Sequence, residues 1–184
     1  LGPAGLFAAL LLARSGFRPL VLERGPELDE RVKAVEHFEK TGELNLNANI
    51  QFGEGGAGTF SDGKLTTRVG DPLCAFVTDA FLQHGAPADI AWRQKPHVGT
   101  DLLRGIIRSI RQEIIALGGE VRFNTALTGL KIENGALAGV ETTAGDFACE
   151  QLILAVGHSA RDTFAMLLES GLMMEAKPFS VGVR

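Results

Sequence analysis

The sequence predicts an α/β domain that combines a parallel sheet with a small antiparallel β-meander. The first observation behind this prediction is a helix that leads into a strand. Leu6, Leu10 and Ala13 recur at helical spacing and predict a helix over residues 3–15, and a short apolar strand over residues 19–23 follows it. This order is half of a βαβ unit, and βαβ units build parallel sheets.

The second observation is a run of short strands after a strongly amphipathic helix. The helix is predicted over residues 101–117. Strands follow over residues 121–130, 136–142 and 146–149, and the Asn-Gly and Ala-Gly pairs between them are typical of tight hairpin turns. A buried apolar strand over residues 151–156 comes next.

Between these two regions the sequence predicts two further helices and a long loop. Residues 27–40 are charge-rich with a narrow apolar stripe, which predicts a solvated surface helix, and residues 72–84 form another helix. Residues 45–68 are rich in Gly, Asn, Ser and Thr. Because irregular stretches of about 20 residues are uncommon in a compact domain, we expect this loop to be functional or mobile.

Composition and charge disfavour several classes of protein. Glycine makes up 23 of the 184 residues, well above the usual share of about 7%. The hydrophobic fraction of 45% is that of a globular domain rather than a disordered chain. A formal net charge of −4 provides no basic field for nucleic acid. The longest apolar run, residues 6–13, is far shorter than the roughly 20 residues that span a membrane.

The cysteines and the chain ends indicate the setting of the protein. Cys74 and Cys149 are too few and too far apart for a disulfide framework or a zinc pattern. With no signal sequence visible, this usage predicts a cytoplasmic protein. The chain opens inside a motif, without Met, and closes at Arg184 within a strand-like run. We therefore expect a segment of a longer protein, truncated at both ends.

The best-defined motif is the turn formed by Gly2, Pro3, Ala4 and Gly5, which matches the last part of a G-x-G-x-x-G fingerprint. Glycines let the backbone turn tightly and approach a pyrophosphate, which the N–H groups at the start of the next helix stabilise. Glu23 ends the following strand, where a carboxylate accepts hydrogen bonds from an adenosine ribose. The alternative is a helix-packing turn followed by an ordinary surface glutamate.

Glu23 also bears on the choice of nucleotide. A carboxylate at the ribose position repels a 2′-phosphate, so NAD or FAD is preferred over NADP at this turn. Arg24, the next residue, is a candidate for stacking on adenine or pairing with a phosphate. The alternative for Arg24 is a solvated surface side chain.

The second candidate site is the glycine-rich stretch at residues 53–64, named here the glycine loop. Its glycines expose backbone N–H groups that can bind an anion, and its polar side chains can reach a phosphate, a ribityl chain or a flavin carbonyl. A flexible connector is the alternative, but the mixed composition around an apolar Phe60 favours a packed loop. The candidate ligands in the loop are Gly55, Gly56, Ser61, Gly63 and Lys64.

A third candidate is Gly157, which follows the strand over residues 151–156, at the end where open α/β sheets bind ligands. His158 beside it is more typical of a structural strand end than of a catalytic acid. The sequence contains no C-x-x-C, H-E-x-x-H or G-x-S-x-G motif. It therefore predicts no metal site, and neither a thiol–disulfide reductase nor a metallohydrolase nor a serine hydrolase.

Together these residues resemble a family of FAD-dependent oxidoreductases, the NAD(FAD)-utilising dehydrogenases within the glutathione-reductase-like flavoprotein superfamily. The glycine loop carries the most specific part of the resemblance. The stretches that match the family are residues 2–25, 51–65, 95–101, 155–164 and 177–184.

The resemblance implies a Rossmann-like FAD-binding domain. The turn at residues 2–5 and Glu23 would hold the adenosine, and the glycine loop would close over the pyrophosphate and the flavin side. The backbone of Leu127 would contact adenine, and Gly157 would lie near the pyrophosphate or the ribityl chain. Lys64 is the side chain expected nearest the flavin.

The resemblance also divides the chain. Residues 1–176 would form a partial FAD/NAD(P)-binding domain, and residues 177–184 would begin a substrate or cap domain. The segment alone is expected to be inactive as an enzyme. The oligomeric state stays open.

The implied function is that of an FAD-dependent oxidoreductase, which passes hydride or electrons between a reductant such as NAD(P)H and a small organic substrate. The catalytic residues and the substrate are unknown at this stage. Two alternatives stay open. One is an NAD-dependent dehydrogenase with the same half of the fold, and the other is a non-catalytic sensor or an RNA-modifying flavoprotein.

Overall fold

The computed structural model describes residues 1–61, 63–65, 67, 69–92 and 98–178. The α-helices are α1 (Pro3–Arg14), α2 (Leu28–Thr41), α3 (Cys74–Gln83), α4 (Thr100–Ala116) and α5 (Arg161–Glu169). The strands are β1 (Leu20–Leu22), β2 (Glu120–Arg122), β3 (Leu127–Glu133), β4 (Ala136–Thr142) and β5 (Gly145–Ala148). Two short 3₁₀ helices cover Ala57–Phe60 and Ala88–Ala91.

The hydrophobic core lies between α1 and α4. Leu6 and Leu10 on α1 pack in one buried cluster with Ile106, Ile110 and Ile114 on α4. These residues recur every three or four positions, so each helix turns a single apolar face toward the other. The helices predicted over residues 3–15 and 101–117 are therefore confirmed, and they form the support behind the turn that begins α1.

The parallel sheet consists of β1 and β2, with Leu20 opposite Glu120 and Leu22 opposite Arg122. The predicted order of a helix followed by a strand is confirmed by α1 and β1, and the predicted parallel sheet is confirmed by the pairing of β1 with β2. The prediction of a single strand over residues 121–130 is wrong, because the chain leaves the parallel sheet after β2 and enters a second sheet at β3. The break contains Asn124 at a φ of 53°, a left-handed conformation that asparagine tolerates better than most residues.

The second sheet is an antiparallel meander in the order β3-β4-β5, as predicted. Asn134 and Gly135 join β3 to β4 with φ values of 51° and 79°. Positive φ at both residues of a two-residue hairpin loop matches the right-handed twist of the flanking strands. Asn-Gly is one of the residue pairs that this turn favours.

The predicted strand over residues 151–156 is wrong. The segment forms no strand, and Ile153 is 61% exposed. A strand needs a hydrogen-bonded neighbour, and in the described part of the chain the parallel sheet contains β1 and β2 alone. The segment instead passes the start of α1, where Ala155 lies next to Gly5.

The helix predicted over residues 27–40 is confirmed as α2. Its description as a solvated surface helix is wrong at Arg31, a charged residue that is buried. Leu28, Arg31 and Val35 are buried, and they form the stripe that α2 turns inward. The stretches at residues 95–97 and 179–184, which belong to matches with the family and include most of the proposed start of a cap domain, lie outside the described residues.

No helix in the described ranges has both the length and the apolar character that a membrane span requires.

Candidate dinucleotide-binding site

The turn at residues 2–5 forms the start of α1. Gly2 is the N-cap in an extended conformation, and Pro3 occupies the first helical position, where its missing N–H leaves no donor unsatisfied. No side chain among the described residues caps this end of the helix. Ala4 is exposed. The N-terminal end of α1, which carries the positive pole of the helix dipole, is therefore presented outward.

Glu23 lies beside this turn, directly after β1. It is only 5% exposed. Its Oε1 accepts a hydrogen bond from the Gly25 N–H at 2.8 Å, and its Oε2 contacts the backbone nitrogen of Leu1. The Glu23 carbonyl accepts the Thr125 N–H at 2.9 Å. Because each carboxylate oxygen has two lone pairs, both oxygens keep capacity for a further donor.

The glycine loop packs backbone to backbone on the same turn. Gly55 N–H donates to the Leu1 carbonyl at 2.9 Å. Gly56 has a φ of 71°, and a Cβ atom added to it would lie 2.7 Å from Pro3 Cδ. Only glycine fits both the backbone angle and the space. The loop is thus a packed element, as the sequence predicts, and its first half closes on the start of α1.

The other half of the loop lies at the start of α4. Gly63 is buried, and its carbonyl accepts the Val98 N–H at 3.0 Å. Ser61 and Lys64 are exposed, and the Ser61 carbonyl accepts the Thr100 hydroxyl at 3.3 Å. Ser61, Gly63 and Lys64 are therefore grouped with one another beside α4, while Gly55 and Gly56 are grouped with the turn.

Two buried charged residues hold the loop from inside, and sequence reasoning missed both. Arg31 of α2 is 0% exposed and donates to carbonyls of the loop. A usable signal was its spacing, since it lies three residues after Leu28 and four before Val35 on the apolar stripe of α2. Glu54 gave a second signal, because a charge inside a glycine run is unusual.

Glu54 connects the loop to two helices. Its Oε2 accepts the Leu28 N–H at the start of α2 at 2.7 Å, and its Oε1 lies 2.8 Å from Arg111 Nε of α4. Burial raises the pKa of Glu54, although the Arg111 charge and the Leu28 N–H act in the opposite direction. The Glu54 carboxylate thus links the glycine loop to the start of α2 and to Arg111 on α4.

A cleft of about 400 Å³ opens beside Arg24, the residue that follows Glu23 in the chain. Arg24, Leu127 and Asp162 line it, so the structure brings the two predicted adenine contacts together. Arg24 Nη2 lies 2.5 Å from Asp162 Oδ2 of α5, which makes Arg24 an ion-pair partner rather than a solvated side chain. Burial raises the pKa of Asp162, but hydrogen bonds from Arg24 and the Thr163 N–H outweigh it and bring that pKa below its usual value.

Gly157 follows the segment that passes the turn. It is exposed at a φ of 73°, two residues after Ala155, which lies against Gly5. His158 Nδ1 is 2.8 Å from the Ser159 hydroxyl, and both belong to an exposed stretch. Within the described ranges no cluster of three metal-ligating side chains occurs.

These elements define the class of fold, a Rossmann-like α/β domain with a parallel sheet and a separate antiparallel meander. Solved structures that share this fold include the following two. The chain superposes on glycine oxidase from Bacillus cereus with a TM-score of 0.52 at 14% identity, covering 91% of this chain and 58% of that one. It superposes on THI4 from Thermovibrio ammonificans with a TM-score of 0.55 at 15% identity, covering 94% and 60%. The predicted fold class is confirmed.

At the level of sequence the chain is 54% identical over 183 residues to an uncharacterized protein from Clostridium beijerinckii. The match covers 100% of this chain and 34% of that protein, so the chain spans about a third of the length of its relative. No protein-family model matches the chain.

Proposed function

We propose that this chain binds FAD and that the protein acts as an FAD-dependent oxidoreductase. The observation that carries the proposal is the meeting of three parts at one place. The uncapped start of α1, the carboxylate of Glu23 and the backbone of the glycine loop adjoin each other around Leu1. Each part supplies a different kind of contact that a dinucleotide needs.

The donor set fits the adenosine diphosphate half of FAD. Backbone N–H groups at the positive end of α1 suit a pyrophosphate, and a carboxylate suits the two hydroxyls of a ribose. Gly56 provides a cradle that a Cβ atom would fill, since that atom would collide with Pro3. The cleft lined by Arg24 and Leu127 offers a place for adenine, and Arg24 directly follows Glu23 in the chain.

The flavin half is assigned to the second half of the glycine loop and to the segment after Ala155. Ser61, Gly63 and Lys64 would face the ribityl chain and the isoalloxazine, with Gly157 near the pyrophosphate. When bound, FAD supplies hydride or electron transfer. The role of the chain's own residues is to bind the cofactor, orient it and exclude water around it.

The oxidoreductase activity is supported by the fold, which the chain shares with a glycine oxidase. We propose that residues 1–176 form part of the FAD/NAD(P)-binding domain and that NAD(P)H is the reductant. The organic substrate would then be recognised by a region corresponding to the part of the Clostridium beijerinckii relative that this chain does not span.

The test is the cofactor content of the natural, full-length protein. We expect the purified protein to show flavin absorption bands and to release FAD, identified by chromatography, when it is heat-denatured. A colourless protein that binds NADH and releases no flavin would contradict the proposal and favour the NAD-dependent dehydrogenase instead.

A further inference from the structure

Arg31 is a fully buried charged side chain that the proposed function does not use. It is 0% exposed, on a helix of otherwise polar surface. Taking a guanidinium out of water is costly unless its donors are hydrogen-bonded. The burial of Arg31 is therefore tolerated only if its N–H donors find hydrogen-bond acceptors inside the protein.

The acceptors are almost all backbone oxygens of the glycine loop and of the segment just before it. Arg31 Nη1 donates to the carbonyls of Glu54 at 2.6 Å and Gly56 at 2.9 Å, and to the hydroxyl of Thr59 at 3.0 Å. Its Nε donates to the carbonyl of residue 49 at 2.9 Å, and its Nη2 to that of residue 50 at 3.2 Å. One side chain thus holds five separate points of the loop region.

These bonds orient the peptides of the loop. In a planar trans peptide, the carbonyl and the N–H of the following residue point in opposite directions. Turning the carbonyls of Glu54 and Gly56 toward Arg31 therefore turns the N–H groups of Gly55 and Ala57 away from it. The Gly55 N–H donates to the Leu1 carbonyl, on the turn that begins α1. Ala57 is exposed.

Arg31 also brings a positive charge to the back of the loop. Burial lowers the pKa of Arg31 to about 10, while the charges of Glu23 and Glu54 act to raise it. The guanidinium is therefore protonated at neutral pH. This charge contributes a favourable potential for an anion on the outer side of the loop, and salt weakens the attraction because that side is open to solvent at Ala57.

We propose that Arg31 is a positioning residue for the pyrophosphate of the dinucleotide. It acts through the glycine loop, whose backbone it orients toward the start of α1, and it adds a buried positive charge behind that backbone. This inference rests on the proposed function, because it requires a dinucleotide at the turn. Part of the affinity of the site for the dinucleotide then comes from a side chain that does not touch the ligand.

The test compares Arg31→Gln and Arg31→Lys in the natural, full-length protein after removal of flavin. FAD binding is measured by fluorescence titration at several salt concentrations, and thermal unfolding is measured without FAD. Arg104→Gln is the matched control. Arg104 stacks on the same Phe60 ring as Arg31, at 5.2 Å, and bonds the Thr59 carbonyl, but it is only half-buried.

We expect Arg31→Gln to weaken FAD binding about 10- to 100-fold, as for the loss of hydrogen bonds from a charged group. Its affinity is expected to depend less on salt than that of the wild type. Arg31→Lys retains the charge, so it is expected to keep the salt dependence and to regain part of the affinity. Arg104→Gln is expected to stay within threefold of the wild type.

A folded Arg31→Gln protein that binds FAD with the affinity and salt dependence of the wild type would overturn the inference. The proposed function would still stand in that case, provided that the wild-type protein binds FAD. A loss of FAD affinity in Arg31→Gln with an unchanged salt dependence would also overturn the inference, because that result indicates a structural role alone. If Arg31→Gln does not fold, Thr59→Val removes one acceptor of Arg31. A loss of threefold or more would support the inference, and unchanged affinity would overturn it.

Discussion

The backbone N–H of Gly55 donates to the carbonyl oxygen of Leu1 at 2.9 Å. This bond joins the glycine loop to the turn that begins α1. A Cβ atom at Gly55 would lie 2.4 Å from both Ile107 Cδ1 and Thr59 Cγ2, so the close approach is restricted to glycine. Two glycine-rich motifs that are far apart in the sequence therefore form one continuous backbone surface.

Gly56→Ala tests this surface directly. The substitution places a Cβ 2.7 Å from Pro3 Cδ. The backbone conformation, with a φ of 71° and a ψ of −164°, is one that essentially only glycine adopts, and it alone costs about 1–3 kcal/mol for another residue. We expect FAD affinity to fall about tenfold or more in a fluorescence titration. Gly70→Ala is the control, since nothing lies within 4 Å of its Cβ position. Equal effects of the two variants would contradict a special role for Gly56.

Glu23→Ala is expected to weaken FAD binding by about 1.5–3 kcal/mol, because the hydroxyls of the ribose lose a charged acceptor. Titration of the deflavinated protein with FAD measures this loss. Glu30→Ala serves as the control, because Glu30 is exposed on α2 and pairs only with the neighbouring Lys33 among the described residues. Unchanged affinity in Glu23→Ala would remove Glu23 from the site.

Ile110→Ala tests the support beneath the turn. Ile110 is 0% exposed in the cluster between α1 and α4, so truncation leaves a cavity. The free energy of unfolding is expected to fall by about 2–5 kcal/mol in urea denaturation. Ile115→Ala on the same helix is the comparison, because Ile115 is 48% exposed and is expected to lose far less. Similar losses at both positions would argue against the described packing.

The Arg14–Glu113 pair predicts a dependence of stability on pH. The hydrogen bond from Arg14 is the main cause that lowers the pKa of Glu113, and burial opposes it. The pKa of Glu113 is therefore lower in the folded than in the unfolded state. The resulting stabilisation is present above the unfolded pKa of about 4.3 and is lost as the pH falls through the folded pKa.

Glu113→Gln is accordingly expected to flatten the decline in stability on acidification and to cost about 1 kcal/mol or less at pH 7. Arg14→Gln removes the main partner and is expected to flatten the decline in part, because His84 Nε2 stays 2.7 Å from Glu113 Oε2. Thermal unfolding across acidic pH values measures both. An unaltered pH profile in both variants would show that the pair contributes nothing to folding.

Much of the fold could be predicted because its signals are local. The apolar spacing along α1 and α4 marks each helix and its buried face. The Asn-Gly pair at residues 134–135 specifies a hairpin through its backbone preferences. Such features depend on a few neighbouring residues, so they are visible without knowledge of the tertiary structure.

The errors arose where distant contacts decide the outcome. The segment over residues 151–156 has the composition of a strand, but strand formation requires a hydrogen-bonded neighbour, which the described chain does not provide. The break at Asn124 separates two sheets within what reads as one apolar stretch. The helix α5 was not predicted at all, and its Asp162 meets Arg24 across a long sequence separation.

The residues of the candidate site were likewise predictable only in part. The turn, Glu23 and the glycine loop could be recognised from residue types, because backbone approach to an anion requires glycine and a ribose requires an acceptor. Arg31 could not, since its five acceptors come from a segment whose path only the folded structure reveals. A buried arginine on a polar helix has no local signature beyond its spacing.

The most direct test of the central claim is titration of the deflavinated, full-length protein with FAD and with FMN. FMN has the flavin but lacks the adenosine and the pyrophosphate linkage that Glu23 and the turn at residues 2–5 are proposed to hold. We expect one FAD to bind per chain and FMN to bind far more weakly. Equal binding of FMN, or no binding of FAD, would contradict the account.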